Sequence, residues 1–356
     1  MNRRLETLQN TLPEGIDAAL IGSPVNRRYY TGLASSAGVL FVTREHAELL
    51  IDFRYIEAAR AAADGYTVTL QEALGTQLHA LAVTHGVETV GVETGTLTLD
   101  EFALYREWMG EVQISTDCAL NKAILRQRSR KSAEEIEQMQ RAQDITDRCF
   151  LELLNFIRAG VSEREVANEL ARLIRQCGAE RESFETIAVS GQKTSMPHGQ
   201  PSDKLIGRGE LFTLDCGVKL GGYCSDMTRT VAVGEISDEQ RRVYETVLAA
   251  QQAALDRLAP GVSCREIDAA ARDLIDAAGY AGCFGHGLGH SLGLEIHEAP
   301  AFSPRETAKT EPGMVMSVEP GVYLDGKFGC RIEDVIVITE NGYRNLTHSP
   351  KKLIVL

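Results

Sequence analysis

The sequence predicts two domains, an α/β domain followed by an α+β domain that contains an internal repeat. A length of 356 residues suits about two domains of ordinary size. Short β-rich runs alternate with helical patterns over roughly the first 120 residues. Further along, GVSEREV at 160–166 recurs as GVSCREI at 261–267. We therefore expect a first domain at 1–123 and a second at 124–356.

The first domain is defined by alternating secondary structure. AALIG, VLFVT and AELLID predict strands at 18–22, 39–43 and 47–52. Helical periodicity predicts helices at 55–63 and 99–109. The basic segment ILRQRSRKS at 124–132 breaks the periodicity and is interpreted as a linker.

A long amphipathic helix is expected to open the second domain. Ser132 and Glu135 have the spacing of a capping box, in which serine and glutamate side chains bond to each other's backbone N–H groups. The helical pattern continues to about Ala159, and Gly160 is expected to end the helix.

The repeat predicts two similar α+β halves. Ser162 with Glu165 and Ser263 with Glu266 are equivalent capping boxes, each starting a helix that ends at a glycine. Each copy follows another helical segment and precedes a β-rich stretch. This arrangement indicates a pseudo-two-fold relation with a shared site between the halves.

The β-rich stretch of the first half predicts a hairpin that carries two acids. With a turn at Leu220-Gly221, Asp215 and Asp226 lie directly opposite each other; with a turn at Gly221-Gly222, they are displaced by two residues. Both registers place the two side chains on one face of the sheet. Like charges on one face destabilise a strand pair unless a cation lies between them.

The second half supplies two further acids. Glu319 follows the apolar run VMSV, and Glu333 is predicted inside a strand, with Arg331 on the same face by period two. The repeat therefore brings four carboxylates to one interface.

Three histidines lie within twelve residues in FGHGLGHSLGLEIHEAP. His286 and His290 have the spacing of a helical zinc motif, but the surrounding glycines disfavour a helix and the motif's glutamate is absent. An extended strand also places these two on one face. His297 follows in the same stretch.

Four carboxylates and one imidazole suit two divalent cations. Oxygen-rich ligation with one nitrogen favours Mn²⁺, Co²⁺, Fe²⁺ or Zn²⁺, of which we expect Mn²⁺. Two such ions can bind and acidify a water molecule and polarise a carbonyl group, which is the chemistry of hydrolysis.

These motifs closely resemble the pita-bread family that contains Xaa-Pro aminopeptidase, prolidase, methionine aminopeptidase and creatinase. The strings DCG, SDMTRT, HGLGHSLGLEIHEAP, SVEPGVY and RIED resemble its motifs over about residues 125 to 345. NRRYYTGL and IDFRYIEAA resemble the N-terminal domain of prolidase, aminopeptidase P and creatinase. The family's metal-ligand pattern falls on Asp215, Asp226, His290, Glu319 and Glu333.

The resemblance implies a role for each ligand. Asp226 and Glu333 would bridge two metal ions, Asp215 would bind one, and His290 and Glu319 would bind the other.

The resemblance also implies roles around the substrate. Glu319 would accept the proton of the attacking water, and His286 and His297 would contact the scissile carbonyl. His198 resembles a histidine near the proline pocket, and Arg331 resembles an arginine that orients a ligand carboxylate.

The resemblance implies a metal-dependent exopeptidase that cleaves before proline in small peptides. The N-terminal domain argues against methionine aminopeptidase, and the complete ligand set argues against creatinase. Aminopeptidase P and prolidase remain open, as do a metallopeptidase without proline specificity and a non-catalytic scaffold of the same fold.

Charge and hydropathy restrict the partners and the compartment. A formal net charge of -13 disfavours nucleic acid as a partner. We find no signal peptide and no apolar run of membrane-spanning length, so we expect a cytoplasmic protein without a membrane partner. Homodimerisation is expected from the resemblance alone.

Overall fold

The structure is a computed structural model that describes residues 2–356, and it divides into two compact units. One unit ends at Arg128, and the other runs from Ser129 to Leu356. A helix, Ala119–Ser129, occupies most of the segment interpreted as a linker. That interpretation is wrong up to Ser129, because the leucine, glutamine and arginine residues of this segment are good helix formers. The predicted limit between 123 and 124 falls within this helix.

The first unit is a mixed sheet with helices, and its elements alternate as predicted. The helices are α1 Arg3–Asn10, α2 Pro24–Thr31, α3 Ile56–Ala62, α4 Leu74–Thr84, α5 Leu99–Met109 and α6 Ala119–Ser129, and the strands are β1 Ala18–Ile21, β2 Val39–Thr43, β3 Ala47–Ile51, β4 Thr67–Leu70, β5 Thr89–Val92 and β6 Gln113–Ser115. The strand order is β4-β3-β2-β1-β5-β6. The three predicted strands and two predicted helices are confirmed to within one residue at each end.

The turn that follows β1 shows how local sequence fixes this unit. Ser23 caps α2 and Pro24 occupies its first turn, where a missing N–H is harmless. The buried carboxylate of Glu93, just past β5, accepts from the backbone N–H groups of Gly22 at 2.6 Å and Ser23 at 2.8 Å. Glu93 therefore ties the end of β5 to the start of α2.

The second unit contains the internal repeat. Its helices are α7 Ala133–Leu153, α8 Glu163–Gln176, α9 Asp238–Leu255 and α10 Cys264–Ile275, with a 3₁₀ turn at Gly191–Ser195 and a π turn at Asp276–Tyr280. Its strands are β7 Arg181–Glu182, β8 Ile187–Ser190, β9 Glu210–Cys216, β10 Val218–Leu220, β11 Tyr223–Cys224, β12 Met227–Val233, β13 Gly289–Ser291, β14 Glu298–Phe302, β15 Val315–Val318, β16 Gly321–Leu324, β17 Phe328–Arg331, β18 Asp334–Thr339 and β19 Gly342–Asn345. Between residues 2 and 356, no helix combines the length and the hydropathy needed to cross a bilayer.

Each half of the second unit packs two helices on one sheet. In the first half, α7 and α8 bury their apolar faces on the sheet β8-β9-β12. In the second half, α9 and α10 pack on the sheet that contains β13, β15 and β18. The two-domain fold class, with its repeated α+β halves, is confirmed.

The helix starts and ends differ in two details from the sequence prediction. The capping boxes at Ser132 and Ser162 are present, but the side chain of Ser263 makes no capping bond. The first helical N–H after it, that of Cys264, donates instead to the carbonyl of Ala308 at 3.0 Å. Helix α7 ends at Leu153 rather than near Ala159. Just after Leu153, the side chain of Asn155 donates to the carbonyl of Glu152, and this bond competes with the backbone hydrogen bonds of a continuing helix.

The hairpin register of the first half is settled by its glycines. Lys219 pairs with Cys224, and Gly221 and Gly222 form the turn with φ of 57° and 88°. Positive φ at both turn positions suits the twist of a two-residue hairpin and favours glycine. Asp215 lies opposite Thr228, so Asp226 is displaced from it by two residues. This is the second of the two registers considered above.

Candidate metal centre

A cavity of about 940 Å³ in the second unit collects all of the residues singled out from the sequence. Both halves of the repeat contribute to its wall. The predicted residues that line it are His198, Asp215, Asp226, His286, His290, His297, Glu319, Arg331 and Glu333.

Three of the predicted metal ligands converge at the centre of the cavity wall. Asp226, His290 and Glu333 each offer one ligand atom, and these atoms lie within 4.8 Å of one another. The Nε2 atom of His290 is 3.6 Å from an oxygen of Asp226 and 3.4 Å from an oxygen of Glu319. An imidazole and three carboxylates from both halves therefore face one small volume.

Three of the acids stand just outside a strand. Asp226 directly precedes β12, and Glu319 directly follows β15. Glu333 lies between β17 and β18 rather than inside a strand, which corrects the sequence prediction. Its N–H donates to the carbonyl of Thr228 at 3.0 Å. That bond fixes Glu333 against β12 of the other half.

The hydrogen bonding of the cluster fits divalent cations. One oxygen each of Asp215, Asp226 and Glu333 is buried and has no hydrogen-bond partner among the described residues. His290 holds its Nδ1 atom 3.1 Å from the carbonyl of Ser291, and a carbonyl can only accept. The Nε2 lone pair is thereby left facing carboxylate oxygens. Such an arrangement is repulsive unless a metal cation or a bound proton lies between these atoms.

The protonation of the cluster reports the same repulsion. Burial raises the pKa of Glu319 to about 8. Burial, followed by repulsion from Glu333, raises the pKa of Asp226, and burial with repulsion from Glu319 raises that of Glu333. Burial and the neighbouring His297 lower the pKa of His290 to about 4, so that its ring is neutral at pH 7. Neutral imidazole and closely spaced carboxylates are the forms that bind divalent metals.

Arg331 holds Asp215 in place. Its side chain is 4% exposed and donates from Nη2 to an oxygen of Asp215 at 2.6 Å. Its Nε atom donates to the hydroxyl of Thr228 at 3.0 Å. Thr228 in turn donates to an oxygen of Glu333 at 2.7 Å. One buried hydroxyl therefore connects the arginine that positions Asp215 with another predicted ligand.

The histidines beside the cluster differ in their surroundings. His286 donates from Nδ1 to the carbonyl of Gly287 at 2.8 Å, and its Nε2 is 2.9 Å from the hydroxyl of Tyr323. Burial and the positive charge of Arg331 lower the pKa of His286 to about 4. His198 and His297 are exposed, and the ring of His297 packs edge-on against His290 with centroids 4.4 Å apart.

Sequence reasoning missed three hydroxyl groups that organise the site. Thr228 is two residues from Asp226 on the same strand face, so period two could have indicated it. Ser317 accepts from the N–H of His290 at 3.0 Å and bonds to Glu319 at 3.2 Å. Tyr323 receives a hydrogen bond from Arg331 at 2.8 Å while contacting His286. Ser317 is likewise two residues from Glu319, so the same period could have indicated it. No local pattern reveals Tyr323, because its partners Arg331 and His286 lie in other segments of the chain.

A glycine allows the strands to meet at the cluster. A Cβ atom on Gly289 would lie 2.0 Å from the carbonyl oxygen of Ser317. Glycine at this position therefore permits β13 to approach β15 closely enough to bring His290 beside Glu319.

Comparison with known families identifies the class of this protein. Residues 137–340 match metallopeptidase family M24, and residues 4–129 match the creatinase/prolidase N-terminal domain. The first match covers more than half of the chain, so the chain belongs to metallopeptidase family M24. Together with the relatives in the next paragraph, this match identifies the chain as a metallo-exopeptidase of pita-bread fold, as the resemblance implied.

Individual relatives extend along the whole chain. The structure of an Xaa-Pro dipeptidase from Bacillus anthracis superposes with a TM-score of 0.95 at 40% identity, covering 99% of each chain. That of an X-Pro aminopeptidase from Thermotoga maritima superposes with a TM-score of 0.90 at 35% identity, covering 96% of this chain and 98% of the other. The Xaa-Pro dipeptidase of Pyrococcus furiosus is 35% identical over 99% of this chain and 100% of its own length.

Proposed function

We propose that this enzyme uses two divalent metal ions to hydrolyse the peptide bond on the amino side of proline. The observation that carries the proposal is the convergence of Asp226, His290 and Glu333, together with buried carboxylate oxygens that have no hydrogen-bond partner within residues 2–356. The names of several relatives, which specify Xaa-Pro substrates, support the proline preference.

The proposed ligands are the five residues of the family pattern. Oxygen-rich ligation with a single imidazole favours Mn²⁺, with Co²⁺, Zn²⁺ or Fe²⁺ as alternatives. When bound, the metal ions would lower the pKa of water and polarise the scissile carbonyl. The ligands are Asp215, Asp226, His290, Glu319 and Glu333.

The residues of the chain would then manage the protons. Water adds its oxygen to the carbonyl carbon, the C–N bond to proline breaks, and a water proton moves to the proline nitrogen. Glu319 is the proposed carrier of that proton, since its carboxylate lies in the cavity wall, 3.4 Å from the Nε2 atom of His290. His297 is proposed to donate a hydrogen bond to the carbonyl oxygen as it gains charge. His286, whose ring nitrogens contact the Gly287 carbonyl and the Tyr323 hydroxyl, is proposed to line the substrate cavity beside that carbonyl.

Two further residues of the predicted site have supporting roles in this proposal. His198 would contact the substrate near the proline, since it lines the same cavity. Arg331 would act through Asp215, which it holds by a buried ion pair. We also propose that the protein is a cytoplasmic homodimer. Light scattering of the purified protein tests the number of subunits.

Metal content and sequence preference test the proposal together. Elemental analysis of the purified protein should find about two divalent ions per chain after incubation with Mn²⁺. Hydrolysis of Ala-Pro-Ala should exceed that of Ala-Ala-Ala and should stop on addition of a chelator. A chain that binds no metal would refute the dinuclear site, whereas equal cleavage of the two tripeptides would refute the proline preference alone.

A further inference from the structure

We propose that the cavity is adapted to peptides that continue beyond the proline, such as Xaa-Pro-Yaa, rather than to Xaa-Pro dipeptides. This inference rests on the Xaa-Pro hydrolysis proposed above and adds the length of the substrate. Under this inference, the enzyme prefers the longer peptides that an aminopeptidase cleaves.

The two kinds of substrate differ in one charge beside the reacting bond. In an Xaa-Pro dipeptide, the proline carries a free carboxylate. In a longer peptide, the same carbonyl belongs to a neutral amide. A carboxylate that enters a cavity loses hydration, and a cationic partner, most often a bidentate arginine, compensates for that loss.

The cavity wall offers little positive charge for that purpose. Among the described residues that line it, Arg331 is the single arginine and there is no lysine. The wall also contains five acids. These acids are Glu185, Asp215, Asp226, Glu319 and Glu333. Even with four of them committed to metal ions, Glu185 opposes the entry of a carboxylate.

The guanidinium of Arg331 is already engaged. Its Nη2 atom pairs with Asp215 at 2.6 Å, and its Nη1 atom donates to the hydroxyl of Tyr323 at 2.8 Å and to the carbonyl of Pro197 at 3.2 Å. Its Nε atom donates to Thr228 at 3.0 Å. Four of the five N–H groups are therefore used. A two-pronged contact with a substrate carboxylate would require the ion pair that positions Asp215 to break.

Histidines compensate for this deficit only in part. Both ring nitrogens of His286 contact protein atoms, namely the Gly287 carbonyl and the Tyr323 hydroxyl. His198 and His297 can donate a hydrogen bond, but histidine carries a full charge only when it is protonated. We therefore expect dipeptide hydrolysis to be reduced rather than abolished.

The size of the cavity agrees with an extended substrate. Small-molecule pockets range over roughly 300 to 1,000 Å³. The volume of about 940 Å³ lies near the upper end of this range, where a dipeptide would fill only part of the space. Phe184, Ile187 and Ile296 contribute apolar wall against which additional residues of a peptide can pack.

The test compares three substrates that share the scissile bond: Ala-Pro, Ala-Pro-amide and Ala-Pro-Ala. With Mn²⁺-loaded enzyme at pH 7.5, we expect kcat/KM for the amide and the tripeptide to exceed that for the dipeptide at least about tenfold. The amide isolates the charge, because it differs from the dipeptide by little else. A dipeptide cleaved as well as the other two would overturn this inference and leave the proposed function intact. Cleavage of none of the three would overturn the proposed function and the inference with it.

A gain-of-function variant tests the missing cation directly. Ala301 lines the cavity and lies directly opposite His290 in the β13–β14 register, so a long side chain there can reach toward the substrate. Ala301→Arg should raise the ratio of Ala-Pro to Ala-Pro-Ala hydrolysis by about tenfold relative to the unmodified enzyme. Ala301→Met is the matched control, since it adds comparable length without charge. An arginine variant whose substrate ratio equals that of the methionine variant would contradict the inference.

Discussion

The hydroxyl of Thr228 offers a precise test of how the site binds metal. Thr228 is fully buried and donates to an oxygen of Glu333 at 2.7 Å. This hydrogen bond lowers the pKa of Glu333 against the opposing effect of burial. It therefore favours the ionised carboxylate, which is the form that binds a cation. Thr228→Val keeps the shape of the side chain and removes the hydroxyl.

The size of the expected effect follows from this bond, and losing the acceptor for the Nε–H of Arg331 acts in the same direction. A hydrogen bond to a charged group contributes about 1.5–3 kcal/mol. Removing it should weaken Mn²⁺ binding by roughly 10–100-fold. The loss should be larger at pH 6 than at pH 8, because a Glu333 with a higher pKa is more often protonated at the lower pH.

Calorimetric titration of Mn²⁺ into the metal-free protein measures the effect. Thr228→Ser should retain most of the affinity, since it keeps the hydroxyl. Thr213→Val is a matched control on the paired strand, because its hydroxyl bonds only to the neutral hydroxyl of Thr230 at 3.0 Å. A Thr228→Val protein that binds Mn²⁺ within about twofold of the unmodified protein would show that Glu333 does not depend on this bond.

Three further predictions follow from buried charges. Metal binding at pH 7 should release protons, because burial raises the pKa of Glu319 to about 8 and keeps it protonated until metal displaces the proton. The apparent affinity for metal should therefore rise between pH 6 and pH 8. Binding heats that are identical in buffers of different ionisation enthalpy would contradict the release of protons. Glu319→Gln should lower kcat at least about 100-fold in the folded protein, and unchanged hydrolysis would refute its role in proton transfer. Arg229→Met should lower the free energy of unfolding by about 3–5 kcal/mol, because Arg229 is buried and pairs with the buried Asp334 at 2.8 Å. Denaturant unfolding measures this change. A change below about 1 kcal/mol would show that Lys351, which also contacts Asp334, suffices to compensate its charge.

Elements with a strong local pattern could be predicted from the sequence. Helical periodicity predicted the helix 99–109 with its observed bounds, and Thr98 and Glu101 form a capping box at its start. Asp215 and Asp226 share a face in either hairpin register, because side chains alternate with period two. That prediction therefore did not require knowledge of the turn.

Features that depend on tertiary contacts could not be predicted from the sequence. Glu333 lies between two strands rather than inside one, and its N–H donates to the carbonyl of Thr228, about a hundred residues earlier in the chain. The capping bond expected at Ser263 is replaced by a backbone bond to Ala308. In both cases a distant carbonyl competes successfully with the local pattern, and no spacing rule contains that information.

The division of the predicted ligands between the repeated halves has a consequence for folding. Asp215 and Asp226 come from the first half, whereas His290, Glu319 and Glu333 come from the second. Neither half holds a full coordination set, so each bound ion would act as a non-covalent cross-link between two halves that also share buried contacts, such as the packing of Leu211 and Ala232 of the first half into the core of the second. Because both halves must be in place to complete the set, metal binds the folded protein in preference to the unfolded chain, and loaded protein should melt at a higher temperature than metal-free protein.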